Sequence, residues 1–205
     1  MKRELLIVGI NGSPNKNGNT AFLLEKGLKA AAENGAATTM IHAAEALKYF
    51  TVPFCTACST PCKGICTEGT PFAGILDEMR RADGLLIGSP VYFGTISGQL
   101  KAFADKIRCL RVGKNLLNSV GGAVAVGATR SGGQENTIRA IHEIMLVQGM
   151  TIVGPGHIEY DCGHFGAAAL RPSSEDMFAQ EKVEILARRI TEVALATKDL
   201  RRRES

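Results

Sequence analysis

The sequence predicts an α/β fold: a doubly wound, five-stranded parallel sheet with helices on both faces, in a single domain spanning residues 1–205. Three observations predict it. Short, continuous apolar runs such as Leu5–Val8 and Leu85–Ser89 have the composition of strands buried on both faces. Segments of helical spacing separate them. Glycine is abundant, 23 residues of 205, and gathers where the apolar runs end, as tight turns from strand to helix require. No internal repeat and no linker interrupts the alternation.

Taken in order, Leu5–Val8 is the first strand and a helix follows from Ala21. Ala36–His42 (AATTMIH) reads as the second strand, and Ala43–Phe54 is ambiguous between helix and loop. A cysteine loop occupies 55–66, and Phe72–Ala82 has helical periodicity ending at Asp83-Gly84. Leu85–Ser89 is the third strand, and Pro90–Ser97 a loop whose last residue caps the next helix. That helix, Gly98–Leu110, carries Leu100, Phe103, Ala104 and Ile107 on one face. Gly122–Gly127 is the fourth strand, Ala128–Gly133 a glycine-rich turn, and Gln134–Gln148 a helix. Met150–Val153 is a short fifth strand and Gly154–Arg171 is irregular. Ser173-Ser174-Glu175-Asp176 starts a C-terminal helix, from about 174 to Lys198.

Charge and composition exclude several functions. Lys and Arg number 24 against 20 Asp and Glu, a net charge of +4. Arg201, Arg202, Arg203 and Glu204 account for +2 of it, in a tail that reads as a frayed, solvated helix end. The body is near neutral, so no nucleic-acid partner is implied. No apolar stretch is long enough to cross a membrane, and the first apolar run is too short for a signal-peptide core. The expected location is the cytoplasm, where cysteines stay reduced.

In such a sheet the ligand lies at the carboxyl ends of the strands, near the switch point. Three glycine-rich turns leave strands one, three and four there: Gly12–Thr20, Ser89–Gly98 and Gly127–Gly133. The first, GSPNKNGNT, opens a helix, and helix N-termini offer unpaired N–H groups and the positive end of the dipole to an anion. Ser13, Asn15, Asn17, Asn19 and Thr20 add side-chain donors, and Lys16 is its single charge. GxGxxG is absent, and Asn19 stands where a P-loop has its lysine. A largely neutral loop suits one terminal monophosphate better than a triphosphate with magnesium. The competing reading is a plain Asn/Gly turn with an Asn or Thr cap. The convergence of three turns points to one planar, phosphorylated ligand.

Cys55, Cys58, Cys62 and Cys66 form C-x2-C-x3-C-x3-C, four of the six cysteines within twelve residues. Disulfides are a poor explanation in a reducing compartment. Four thiolates on one short loop suit a [4Fe–4S] cluster. Structural zinc usually takes two separated ligand pairs. Zinc and an unmetallated loop remain open. Cys109 follows an apolar helix face and reads as a small hydrophobe. The segment Gly156–His164 holds metal-ligating residue types, but no template fits its spacing. It reads instead as a lip over the ligand or a subunit contact. His42 and His142 read as structural.

Three stretches in order, GSPNKNGNT, SPVYFGTISGQLKAFADK and GGAVAVGATRSGGQENT, resemble the NAD(P)H-dependent FMN reductase family of flavodoxin-like proteins. With the clustered cysteines, the chain is similar to its iron–sulfur flavoprotein branch, whose cysteine loops have a shorter middle gap and a longer last gap. The resemblance implies FMN, with Ser13, Asn15, Asn19 and Thr20 at its phosphate. It implies Pro90, Val91, Tyr92, Phe93 and Gly94 along the isoalloxazine edge, and Thr129, Arg130, Gly132 and Gly133 closing over the ring's other side. Pro90 biases Ser89 toward extended geometry, which suits backbone contacts to a ring edge. Core packing for Tyr92 and Phe93, and a surface salt bridge for Arg130, are the competing readings.

The function expected is electron transfer from NAD(P)H or an electron-donor protein to an acceptor. It runs through FMN and a [4Fe–4S] cluster on Cys55, Cys58, Cys62 and Cys66, with no catalytic side chain. A cluster-free NAD(P)H:FMN or quinone reductase, a non-enzymatic flavodoxin-like carrier and a zinc-stabilised flavin-binding module are the alternatives. A homo-dimer or tetramer is expected, because neighbouring subunits usually complete the flavin face in this family.

Overall fold

The computed structural model describes residues 4–160 and 162–201. Six strands form one parallel sheet: β1 (Leu5–Asn11), β2 (Ala36–His42), β3 (Gly84–Pro90), β4 (Val120–Gly127), β5 (Thr151–Ile152) and β6 (Ala167–Leu170). Their order is β2-β1-β3-β4-β5, with β6 also pairing β4, which is the flavodoxin-like order. β3 and β4 lie at the centre and are buried along almost their whole length, as their unbroken apolar composition dictates.

Alternation along the strands divides the core into two layers. Ile7, Leu86, Val120, Val124 and Val126 face α1 (Asn19–Glu33) and α7 (Met177–Ala196), which bring Leu23, Leu24, Val183, Leu186 and Ile190. Val8, Ile10, Leu85, Ile87, Ala123 and Ala125 face the other way. There they meet α2 (Ala43–Leu47), α3 (Pro71–Arg81), α4 (Gly98–Lys106), α5 (Arg108–Val112) and α6 (Gln134–Val147). Ala43–Phe54, ambiguous in sequence, begins as α2. The helix expected over Gly98–Leu110 breaks at Ile107, whose ψ of 13° leaves the helical range and separates α4 from α5.

The fifth strand is split. β5 pairs with Val120 and Gly121, and β6 with Val124 to Gly127. Because β3 occupies the opposite edge of β4, β5 and β6 share one lane of the sheet. Between them the chain makes an excursion over 153–166. It re-enters the lane at Gly166, where a Cβ would lie 2.3 Å from the Ala123 carbonyl oxygen, so a side chain is excluded. The base of the excursion is tied to α7, because Arg189 Nη1 donates to the Gly154 and Gly156 carbonyls at 3.3 and 3.2 Å. Its expected role as a lip falls partly on Asp161, which lies outside the described residues.

The C-terminal tail differs from expectation at its first residue. Arg201 is buried, not solvated: its Nε donates to Asp83 Oδ1 at 3.1 Å, its Nη1 to Thr197 Oγ1 at 3.1 Å, and its Nη2 to the Ala194 carbonyl. Asp83 Oδ2 in turn accepts from the Leu6 N–H at 2.9 Å, so the ion pair clamps α7 to the amino ends of β1 and β3. Arg202, Arg203 and Glu204 lie outside the described residues. Removing one member of a buried pair strands the other charge, so Arg201→Ala should lower unfolding free energy by about 3 kcal/mol. Urea denaturation checks this; a loss below about 1 kcal/mol would mean that water reaches Asp83.

Candidate functional site

The first turn is built by side chains reading their own backbone. Asn11 Oδ1 accepts from the Ser13 N–H at 3.0 Å, Ser13 Oγ from the Asn15 N–H at 3.1 Å, and Asn15 Oδ1 from the Asn17 N–H at 3.0 Å. These Asx- and Ser-turns fold GSPNKNG into a compact bend before α1. α1 has Gly18 at its N-cap, no side-chain cap and no acidic residue in its first turn, so the plain Asn or Thr cap is not what is found. Its first helical bond to the cap runs from the Phe22 N–H to the Gly18 carbonyl at 3.0 Å, and the N–H groups before it face the turn. Ser13 and Thr20 are buried at its base, and Asn15 is exposed at its rim. Asn19 Oδ1 accepts from the Ser173 N–H at 2.8 Å, which turns its amide nitrogen to other partners.

The second turn is knotted to the first. The Gly12 N–H donates to the Gly88 carbonyl at 2.8 Å, and the buried Ser97 hydroxyl donates to the Gly12 carbonyl at 2.5 Å. The same Ser97 oxygen accepts from the Leu100 N–H at 3.1 Å and so caps α4, and the Ser97 N–H donates to Ser89 Oγ at 3.0 Å. Val91 continues the sheet through its N–H to the Val126 carbonyl at 2.8 Å. Beyond it, Tyr92 and Thr95 exchange backbone bonds around Phe93 and Gly94, at φ of 50° and 80°. Two successive positive φ values make a type I′ turn. Phe93 stands fully exposed at its tip and Tyr92 is 44% exposed, so core packing does not account for either.

The third turn meets the second. Gly133 has a φ of 102°, and a Cβ on it would come within 3.0 Å of the Gly94 Cα. Gln134, buried, donates from Nε2 to the Thr129 carbonyl at 2.7 Å and pins the turn. Thr129, Arg130 and Gly132 are exposed above it. Arg130 also borders a cleft of about 870 Å³ that continues past Gln134 to Arg171, Asp176 and Phe178. The three turns are therefore contiguous: first against second through Gly12 and Ser97, second against third through Gly94 and Gly133.

The cysteine loop lies apart, between α2 and α3. Cys55, Cys58, Cys62 and Cys66 are unpaired thiols that border one small cavity with Asp105, Lys106 and Arg108. The Ala57 N–H, at a φ of 52°, donates to Cys55 Sγ at 3.3 Å. In donor type and number the four thiols fit an iron–sulfur cluster, and Lys106 and Arg108 outweigh the single carboxylate of Asp105 beside them. As they stand, no three metal-ligating side chains among the described residues are grouped closely enough to hold a metal ion. Cys109 packs on the core and abuts Gly64 of this loop, its Sγ 3.9 Å from the position a Gly64 Cβ would take. Burial pushes its thiol up, and Cys62 adds to the shift.

Several residues that build the site carry no sequence signal of their own. Asn11 looks like the end of a strand. Ser89 and Gln134 look like an ordinary strand end and helix start. Ser173, fully buried and with no hydroxyl partner among the described residues, comes from a segment 154 positions from Asn19.

Fold and site together define a flavodoxin-like binding domain, a sheet whose carboxyl edge carries three joined turns with an uncapped helix at the first. A model of the NADPH-dependent FMN reductase family matches residues 5–164, and the chain belongs to that family. It is similar to an iron-sulfur flavoprotein of Methanocaldococcus jannaschii, 39% identical over 193 residues that cover 91% of this chain and 96% of that one. It is similar also to the iron-sulfur flavoprotein of Methanosarcina thermophila, 36% identical over 191 residues covering 91% and 94%. Among solved structures, a WrbA-like flavodoxin from Agrobacterium tumefaciens shares the fold, with a TM-score of 0.66 at 18% identity over 95% of this chain and 99% of that one. No helix among the described residues is long and apolar enough to cross a membrane.

The knot between the first two turns should carry stability as well as shape. Ser97→Ala removes the α4 cap and leaves the buried Gly12 carbonyl unpaired, a loss of about 2–3 kcal/mol. Chemical denaturation measures it, and a change under about 0.5 kcal/mol would show that water replaces the hydroxyl.

Proposed function

We propose that the protein is an FMN-dependent electron-transfer oxidoreductase that takes electrons from NAD(P)H or a donor protein and passes them on through a [4Fe–4S] cluster. The observation that carries the flavin reading is the contiguity of the three turns, with the uncapped N-terminus of α1 facing the first. In this reading Ser13, Asn15, Asn19 and Thr20 hold the FMN phosphate, with the dipole of α1 behind them. Pro90, Val91, Tyr92, Phe93 and Gly94 line one edge of the isoalloxazine. Thr129, Arg130, Gly132 and Gly133 close its other side. The four loop cysteines hold the cluster, supported by their shared cavity and by the similarity to iron-sulfur flavoproteins.

When bound, FMN accepts a hydride and releases single electrons, and that chemistry belongs to the cofactor. The chain's own work is to bind, orient and shield. The backbone of the second turn, fixed by Ser97 and Ser89, meets the ring edge. Exposed Tyr92 and Phe93 keep water from one flank. Arg130, beside the large cleft, meets the phosphates of a nicotinamide donor. No protein nucleophile or acid–base pair is needed.

A cluster-free reductase is the second reading, favoured by the separation of the thiols. One experiment decides between them. Protein purified anaerobically should be brown, with FMN near one per chain and about four iron and four sulfide. NADPH or NADH should bleach the flavin. Thr20→Val should weaken FMN about ten-fold or more, because a hydrogen bond to a charged group is lost. Cys62→Ser should lose iron but keep FMN. Preference for FAD over FMN would overturn the phosphate-loop assignment. Zinc, or a yellow iron-free protein after anaerobic reconstitution, would establish the plain reductase.

Large apolar side chains stand uncovered at the second turn, on the 153–166 excursion and on α6, among them Phe93, Ile158, Leu146 and Val147. They support assembly into a homo-dimer or tetramer. Light scattering at micromolar concentration should give at least twice the 21.8 kDa chain mass; a monomer would refute it.

A further inference from the structure

Parallel pairing of β1 with β2 sets Asn11 directly beside His42. The Asn11 amide is fully buried and makes three contacts, two of which fix which way it faces. Its oxygen accepts from the Ser13 N–H at 3.0 Å, and its nitrogen donates to the Asn15 carbonyl at 3.4 Å. Turning the amide over would set nitrogen against N–H and oxygen against carbonyl, two repulsions in place of two bonds. The nitrogen therefore points at the third contact, His42 Nδ1, at 3.1 Å. Only an imidazole with its proton on Nε2 and a bare Nδ1 can accept there.

We infer that His42 is the positioning residue of the phosphate loop: neutral and protonated on Nε2, it holds the Asn11 amide that shapes Ser13 to Asn15. The inference deepens the FMN reading and rests on it. Protonating Nδ1 would face N–H with NH2, and the amide could relieve the conflict only by releasing Ser13 and Asn15. The loop should therefore loosen as the pH falls.

The surroundings of His42 agree. Burial first, and the Lys16 ammonium of the loop second, hold it below its ordinary value, while Glu45 from α2 and Glu25 from α1 pull the other way. A histidine whose folded value is depressed favours the fold fully above its unfolded value of about 6.5, and loses that contribution as the pH drops through the folded value. A charged imidazole would also attract a phosphate, and that role predicts the opposite slope.

The test uses the full chain, with FMN as the probe. Asparagine sets a carbonyl oxygen where Nδ1 stood and does not titrate; leucine offers no acceptor. At pH 8, His42→Asn should bind FMN within about two-fold of wild type, and His42→Leu about five- to ten-fold more weakly. Between pH 8 and 5, wild type should lose at least about five-fold in affinity relative to His42→Asn, a comparison in which titration of the FMN phosphate cancels. A wild-type affinity that rises relative to His42→Asn, or equal binding by the Asn and Leu variants, would overturn the inference. Imidazole 15N shifts of the flavin-free protein at pH 8 should report the Nε2–H tautomer; the Nδ1–H tautomer would refute the arrangement. That second measurement stands even if the protein binds no FMN, in which case the flavin reading fails by itself.

Discussion

The hydroxyl of Ser97 holds the candidate site together. It is one buried oxygen with one proton, and it uses both: the proton on the Gly12 carbonyl and a lone pair on the Leu100 N–H. A parallel sheet brings the ends of β1 and β3 side by side but leaves the loops that follow them free to diverge. Ser97 prevents that by joining the loop after β1, the loop after β3 and the start of α4 at one point. Ser89 fixes Ser97 in turn, its Oγ accepting from the Ser97 N–H. The third turn needs no such bond, because Gly133 rests directly against Gly94.

α4 carries this constraint to the cysteines. Its first residue follows Ser97, and Asp105 and Lys106 at its far end border the thiol cavity, as does Arg108 at the start of α5. Nine helical residues span about 13 Å, so one rigid rod sets the spacing between the turns and the thiols. Lys106 is buried as a residue, and its ammonium lies 4.2 Å over the Phe50 ring, which stacks edge-on to Phe72 in the core. A cation is thus held firmly beside the four thiols. The two sites are separate in sequence and in hydrogen bonding, and joined by a helix.

Much of this was legible from residues alone, where one local force decides the outcome. β2 has the limits its composition predicts, and Ser97 caps α4 as its place before a helix suggests. The misses occur where two distant segments decide together. The split of the fifth strand depends on Gly166 finding the Ala123 carbonyl, 43 positions away. Arg201 looks like part of a solvated tail until α7 delivers it to Asp83, 118 positions earlier. Asn11 and His42 are 31 positions apart, and only the β1–β2 register makes them neighbours. The thiols are the converse case: their spacing is plain in the sequence, while the distances between them are a property of the loop's fold, which sets them around one small cavity without grouping them.

Backbone strain follows the same map. Among the described residues, five that are not glycine have positive φ: Ala57, Phe93, Lys114, Asn118 and Ser131. Three of them sit in the cysteine loop, the second turn and the third turn. Such residues cost on the order of 1 kcal/mol or more, and persist where their surroundings over-determine them. Those surroundings are identifiable. The Tyr92–Thr95 bonds hold Phe93 from both sides, Gln134 pins the turn around Ser131, and the sulfur of Cys55 accepts the Ala57 N–H. At Phe93 the strain has a visible result. The turn that forces its φ positive also projects the ring into solvent, where a large aromatic gains nothing from the fold. Strain and exposure at one residue both oppose stability, so nothing within the chain accounts for an aromatic at this position.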